Sequence, residues 1–383
     1  MKKLLACALA ASVAIFGLTA CSNQDKADAH KLKIVTTNFA EYDFARQITG
    51  DKADVKMLLK PGAESHSYEP SPQDIKTIQD SDLFVYVGGD SDEWVGDILE
   101  SMDKKPNTFK LMDAVDLMEE EVKEGMVHEH HDDDKDCCDE HKEHEHEHEH
   151  EEHADKHEEH ADKHEHEHEH EHEEHADKHE HEHEEHADKH EEHADKHEHE
   201  HEEHADEPEM DEHVWTSPVN AIKIVEKMSA EIIKLDPNNA DTYKKNTEEY
   251  IKKLQKLDGE FRDVVKNGKR KEIVVGDRFP FLYFVKEYGI EYYAAFPGCS
   301  KDTDTNPATI AFLTEKVKED NIPVVFHIEL SNEQMSKAIA EATGAKSELL
   351  NAVHNISDED FKKGVTYIDL MEHNVEVLKE ALN

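Results

Sequence analysis

The sequence predicts an α/β protein of two lobes, each with a small, mostly parallel sheet flanked by helices, joined by a long rigid helix. Short β-rich runs alternate with amphipathic helical stretches on both sides of a low-complexity insert. One helical pattern in the middle of the chain is longer than an ordinary globular helix. The insert has almost no apolar residues, so we expect a disordered segment that interrupts the first lobe.

The first lobe contains two predicted strands, 33–37 and 83–87, where β-branched and aromatic residues cluster. After the insert, apolar residues recur at helical spacing from 218 to 235, and Pro237 interrupts the pattern. The predicted helix therefore ends before this proline.

The long helical pattern runs from about 239 to 265. Its apolar side chains form one stripe, namely Tyr243, Tyr250, Leu254, Leu257 and Phe261. A helix of this length suits a rigid connection between two lobes.

A second α/β set begins with a predicted strand at 272–275 and continues with another at 323–329. The pattern closes with an amphipathic helix after residues 367–370. In such parallel sheets a ligand is expected at the carboxyl ends of the strands, between the lobes.

The N-terminus has the features of an export signal. Lys2 and Lys3 precede an apolar run from 4 to 18, which is shorter than the roughly 20 residues of a membrane span. The residues before Cys21 resemble a bacterial lipobox, which implies lipidation of Cys21 and an anchor on the extracytoplasmic face of the cell membrane. The remaining cysteines do not suggest a disulfide framework.

The insert dominates the charge and the histidine content of the chain. Of the 33 histidines, 27 lie between His128 and His204, and residues 128–207 carry −31 of the total charge of −49. Dense imidazole and carboxylate groups offer many weak sites for Zn²⁺, Cu²⁺ or Ni²⁺, which predicts a metal collector; a solvated spacer is the alternative. The strong negative charge excludes nucleic acid as a partner.

These patterns divide the chain into a lipoprotein signal peptide, a lipidated tether, a first lobe in two parts around the insert, a linking helix and a second lobe. The signal peptide is 1–20 and the tether is 21–31. The first lobe comprises 32–127 and 208–237, with the insert 128–207 between its two parts. The linking helix is 238–268 and the second lobe is 269–383.

Two loops carry a family resemblance. Residues 61–74, which contain His66, and residues 211–218, which contain His213, resemble the metal-ligand loops of the zinc and manganese solute-binding proteins of ABC importers, known as cluster A-I. Trp94 also fits. The resemblance covers essentially the whole mature chain. It implies two lobes on a long helix, with His66 and His213 as ligands in the cleft.

The third ligand departs from the family pattern. The family places His or Glu where this chain has Arg278, and an arginine cannot bind a metal. Several residues are candidate replacements: Asp277, His354, Glu329, His327 and Cys299.

We therefore predict a monomeric, non-enzymatic protein that binds Zn²⁺, with Mn²⁺ as the second choice, and delivers it to an ABC-transporter permease. A site rich in histidine nitrogen favours zinc. The alternatives are a surface metal store or adhesin built on the insert, and a zinc hydrolase, although the globular part has no His-Glu-x-x-His helix.

Overall fold

Two four-stranded parallel sheets form the centre of this protein. The computed structural model describes residues 31–65, 67–126, 209–300 and 306–383. The predicted signal peptide, the lipidation site Cys21, the insert 128–207 and the candidate ligand His66 lie outside the described residues. Within the described ranges, no helix is both long enough and apolar enough to span a membrane.

The first sheet has the strand order β2-β1-β3-β4 and is parallel throughout. Its strands are β1 (Leu32–Thr36), β2 (Ala53–Met57), β3 (Leu83–Tyr86) and β4 (Asn107–Lys110). Its helices are α1 (Phe39–Thr49), α2 (Pro72–Gln79) and α3 (Trp94–Ser101). Adjacent residues Ile34 and Val35 are both buried, because helices cover both faces of the sheet.

The second sheet repeats this arrangement with the order β6-β5-β7-β8. Its strands are β5 (Glu272–Arg278), β6 (Glu291–Phe296), β7 (Val324–His327) and β8 (Lys346–Leu349). Its helices are α6 (Leu282–Tyr288), α7 (Pro307–Glu319), α8 (Gln334–Thr343), α9 (Asp358–Lys363) and α10 (Tyr367–Ala381).

Helices α4 (Pro218–Leu235) and α5 (Ala240–Asn267) follow the insert. Helix α5 has 28 residues, which gives a length of about 42 Å. The predicted apolar stripe is buried along it, and α5 packs against α1, α4, α6 and α10. The predicted long helix is confirmed.

The predicted strand at 323–329 is too long, because β7 ends at His327. Beyond it the Ile328 N–H points to the Asp277 carboxylate at 3.5 Å, and Leu330 adopts a left-handed φ of 61°. The chain therefore turns out of the sheet, and Glu329 lies in the loop at the carboxyl edge rather than in the strand.

The chain segments that flank the insert pair with each other. Glu119 and Met210 form an antiparallel bridge, the Glu120 N–H donates to the Glu209 carbonyl at 2.8 Å, and the Asp211 N–H donates to the Met118 carbonyl at 2.9 Å. We call residues 118–120 and 209–211 the stem. The stem leads directly to His213.

Candidate metal site

His213 is fully buried in the loop between the stem and α4. Its backbone N–H donates to Asp211 Oδ1 at 2.8 Å, and its ring Nδ1 lies 3.1 Å from the same oxygen. A short turn, Val214–Thr216, follows, and Ser217 caps α4 with Pro218 in its first turn. Asp211 thus holds His213 through both its backbone N–H and its ring Nδ1.

His354 comes from the second lobe, in the loop after β8, and is also buried. Its ring lies 4.8 Å from that of His213, measured between centroids, at an interplanar angle of 78°. Its carbonyl accepts a hydrogen bond of 2.9 Å from the Phe39 N–H of the first lobe. Two histidines from separate loops therefore meet where the lobes join.

Glu329 holds the His354 loop in place. Its carboxylate accepts backbone N–H groups from His354 at 2.9 Å and from Ala352 at 2.7 Å, and it lies 3.5 Å from His354 Nδ1. Burial by itself would raise the pKa of Glu329, but the contact with His354 and the backbone hydrogen bonds outweigh it and lower the pKa. The carboxylate is therefore ionised.

Burial lowers the pKa of His354 against the opposing contact with Glu329, and the nearby His213 and Arg278 add to the lowering, so the ring stays neutral. Burial raises the pKa of Asp211 to about 7, against the opposing effects of the His213 N–H and of His354. A neutral imidazole is the form that binds a metal.

Both histidines have a carboxylate at Nδ1: Asp211 beside His213, and Glu329 beside His354. When Nδ1 faces such an acceptor, the ring proton sits there and Nε2 carries the lone pair. Carboxylate–histidine pairs of this kind orient metal ligands and increase their basicity. The arrangement can bind a transition-metal ion through two Nε2 atoms.

Trp215 fixes the distance between the two loops. It is buried, its Nε1–H donates to the Ala352 carbonyl at 2.8 Å, and its own carbonyl accepts from the Tyr367 hydroxyl at 2.8 Å. Its ring meets both imidazoles edge to face, with centroid distances of 5.6 Å to His213 and 5.2 Å to His354.

A small cavity of about 30 Å³ opens beside His354, which is room for a single ion or water. Its lining includes Glu64, Ser65, Arg278, Glu329, His354 and Asn355. Arg278 Nη1 lies 3.1 Å from Glu64 Oε1, so this pair joins the lobes at the cavity. Glu64 lies two residues before the sequence-predicted ligand His66, which is outside the described residues.

The other three candidates have different surroundings. The Asp277 carboxylate accepts the Arg278 N–H at 2.9 Å and lies 3.5 Å from the Ile328 nitrogen, so it braces two strand ends. His327 Nδ1 lies 3.2 Å from the Ser347 hydroxyl, and its Nε2 lies 4.0 Å from Glu333. Cys299 lies beside His213 and Glu212, with one ligand atom of each within 4.8 Å of the others.

Sequence reasoning missed Asp211 and Trp215 as parts of the site. Both belong to the same loop motif as His213, two residues to either side of it. The available signal was the presence of a carboxylate and an indole next to a candidate ligand. Their partners, His213 and the Ala352 carbonyl, become visible only in the fold.

Residues 34–381 match the family model described as zinc-uptake complex component A, periplasmic. The chain is 33% identical over 371 residues to the high-affinity zinc uptake system protein ZnuA of Bacillus subtilis, covering 97% of this chain and 93% of that protein. It is 31% identical over 374 residues to the zinc-binding lipoprotein AdcA of Streptococcus pneumoniae. That match covers 97% of this chain and 60% of AdcA.

Solved structures show the same fold. The metal-dependent lipoprotein YcdH of Bacillus subtilis superposes with a TM-score of 0.62 at 30% identity, covering 92% of this chain and 99% of that one. The Zn(II)-bound ZnuA-like domain of Streptococcus pneumoniae AdcA gives 0.62 at 27% identity, with the same coverage. With its two parallel sheets, its long helix and its histidine pair between the lobes, the chain belongs to the zinc-uptake complex component A family.

Proposed function

We propose that this protein is a lipid-anchored, extracytoplasmic zinc-binding protein that delivers the ion to the permease of an ABC importer. The observation that carries the proposal is the buried pair of His213 and His354, perpendicular rings 4.8 Å apart, each with a carboxylate at Nδ1. The names of the relatives, a zinc uptake protein and a zinc-binding lipoprotein, support the same cargo and anchor.

In this proposal, Nε2 of His213 and Nε2 of His354 bind the ion, and His66 supplies a third nitrogen. Glu329 orients His354 and contributes negative charge next to the ion, while Asp277 holds the loop behind it. Three nitrogens in a dry site suit tetrahedral Zn²⁺, whereas Mn²⁺ prefers more oxygen. The histidine-rich insert collects metal for this site, and Cys21 carries the lipid.

The test is a competitive zinc titration of the mature chain against a chelator strong enough to outcompete weak surface sites. His354→Ala should weaken tight zinc binding by at least about a hundredfold, which corresponds to about 2.7 kcal/mol. His373→Ala is the matched control, since His373 is an exposed histidine on α10 and should leave the affinity unchanged.

Equal zinc affinity in the parent and in His354→Ala would contradict the proposed site. A strain that depends on this protein for growth at low zinc separates binding from delivery. His354→Ala should fail to support that growth, and the His373→Ala variant should support it.

Arg278→His should strengthen zinc binding, because it replaces a positively charged side chain at the cavity with a neutral imidazole that can bind the ion next to His354. We expect about a tenfold gain in affinity, worth about 1.4 kcal/mol. Arg278→Lys keeps the positive charge and serves as the control, with no gain expected. Weaker zinc binding by Arg278→His than by Arg278→Lys would show that the ion pair with Glu64 matters more than the extra donor.

A further inference from the structure

A second group of metal-ligating side chains lies beside the stem. Cys299, in the loop after β6, is buried, and its sulfur lies with one carboxylate oxygen each of Glu120 and Glu209 in a set whose atoms are all within 4.8 Å of one another. Glu120 is half-buried and Glu209 is exposed. The group therefore reaches from solvent to the interior.

The stem positions this group through the backbone. Hydrogen bonding between the two stem segments puts Glu120 and Glu209 side by side. The Cys299 N–H donates to Glu120 Oε1 at 2.9 Å, which fixes the cysteine loop against the stem. One main-chain hydrogen bond and one bond from a main-chain N–H to a carboxylate thus hold together three donors from distant parts of the sequence.

Cys299 also belongs to a second group, which it shares with the cleft site. Its sulfur, one atom of His213 and one carboxylate oxygen of Glu212 lie within 4.8 Å of one another, and all three residues are buried. Gly298 allows this approach, because a Cβ atom there would lie only 3.0 Å from His213 Cε1 and from the Phe279 carbonyl oxygen. One thiol therefore adjoins both the carboxylates of the stem and a histidine of the cleft.

The donor types indicate which ion would bind. Cysteine binds a metal as a thiolate, a soft ligand that selects borderline cations such as Zn²⁺ over Mg²⁺ or Ca²⁺. The two carboxylates supply negative charge that offsets the charge of the ion. Three protein donors leave one of four positions open, which is typical of zinc sites that exchange a ligand. The exposed Glu209 gives that position access to solvent.

We infer that Glu120, Glu209 and Cys299 form a second, exchangeable site for a zinc-like divalent ion, from which the ion passes to His213 in the cleft. Two of its residues flank the insert in sequence, with Glu120 before it and Glu209 after it. The inference takes the identity of the cargo from the proposed function. The geometry of the site stands apart from it.

Cobalt(II) titration of a soluble chain, residues 22–383, tests the site, because cobalt bound to thiolate absorbs by charge transfer in the near ultraviolet. Cys137→Ser plus Cys138→Ser is the background, so that Cys299 is the thiol observed. The band should appear in this background and vanish on adding Cys299→Ser. Circular dichroism of both chains should match. A background without the band would overturn the inference.

Glu120→Gln plus Glu209→Gln tests the carboxylates. The double substitution should lower the affinity for cobalt, measured from the titration of the band, by about tenfold or more. The matched control, Glu119→Gln plus Glu124→Gln, removes two exposed acids from the same region and should leave it unchanged. Equal effects of the two pairs would overturn the inference.

His354→Ala separates this site from the cleft site. The band should persist in His354→Ala, and zinc transfer from the stem site to the cleft should slow in Cys299→Ser. If the chain with His354 and Cys299 intact showed the cobalt–thiolate band but bound no zinc tightly in the cleft, the proposed function would be contradicted and the second site would be supported. Loss of the band in His354→Ala would merge the two sites and overturn the inference.

Discussion

Trp215→Ala is expected to lower the free energy of unfolding by about 3–5 kcal/mol, the usual cost of removing a large buried aromatic side chain. Zinc affinity should fall with it in the fraction that remains folded. The indole packs edge to face on both His213 and His354, and its N–H satisfies the Ala352 carbonyl. Without the ring, the two histidine loops lose their common spacer.

Denaturant unfolding measures the loss of stability. Zinc titration, under conditions where the variant is folded, measures the loss of affinity. Trp215→Phe keeps most of the packing but leaves the Ala352 carbonyl without its donor, so it should cost about 1–3 kcal/mol. Trp94→Ala is a matched control, since Trp94 is half-buried against Tyr68 and Phe84 away from the histidines. A loss of zinc affinity in Trp94→Ala equal to that in Trp215→Ala would contradict a spacer role.

Glu329→Gln is expected to weaken zinc binding by about 10–100-fold, as is usual when the partner of a metal-binding histidine is lost. The amide has one oxygen and one NH₂ group where the carboxylate has two acceptors. It cannot accept both the Ala352 and the His354 N–H groups in the same way. One buried donor loses its partner, which should also cost about 1–3 kcal/mol of stability.

Competitive titration and denaturant unfolding of Glu329→Gln measure both losses. Glu348→Gln on β8 is the control, a half-buried glutamate on the neighbouring strand. It should change neither quantity. If Glu329→Gln lost stability but kept its zinc affinity, Glu329 would be a support of the loop alone.

Much of the fold could be predicted because its signals are local and periodic. The stripe on α5 and the β-branched and aromatic runs of β1, β3 and β5 are visible without tertiary information. The end of β7 was wrong by two residues, since Ile328 and Glu329 continue the strand pattern while the chain turns toward Asp277. The local sequence pattern gives no indication of that long-range contact.

The site was harder, because its geometry depends on residues far apart in sequence. His213 belongs to a recognisable loop motif. The choice among His354, Asp277, Glu329, His327 and Cys299 depended on where the loop after β8 would point. The Asp211 and Glu329 carboxylates acquire their roles only when the folded chain brings them to Nδ1 of the two histidines. The contact of Cys299 with the stem had no sequence signal at all.

The most direct test of the central claim is anomalous diffraction at the zinc edge from crystals of the zinc-loaded mature chain. The account predicts a zinc peak between the lobes, about 2.0–2.1 Å from Nε2 of His213 and Nε2 of His354. A strong zinc peak elsewhere, with neither histidine among its ligands, would contradict the account.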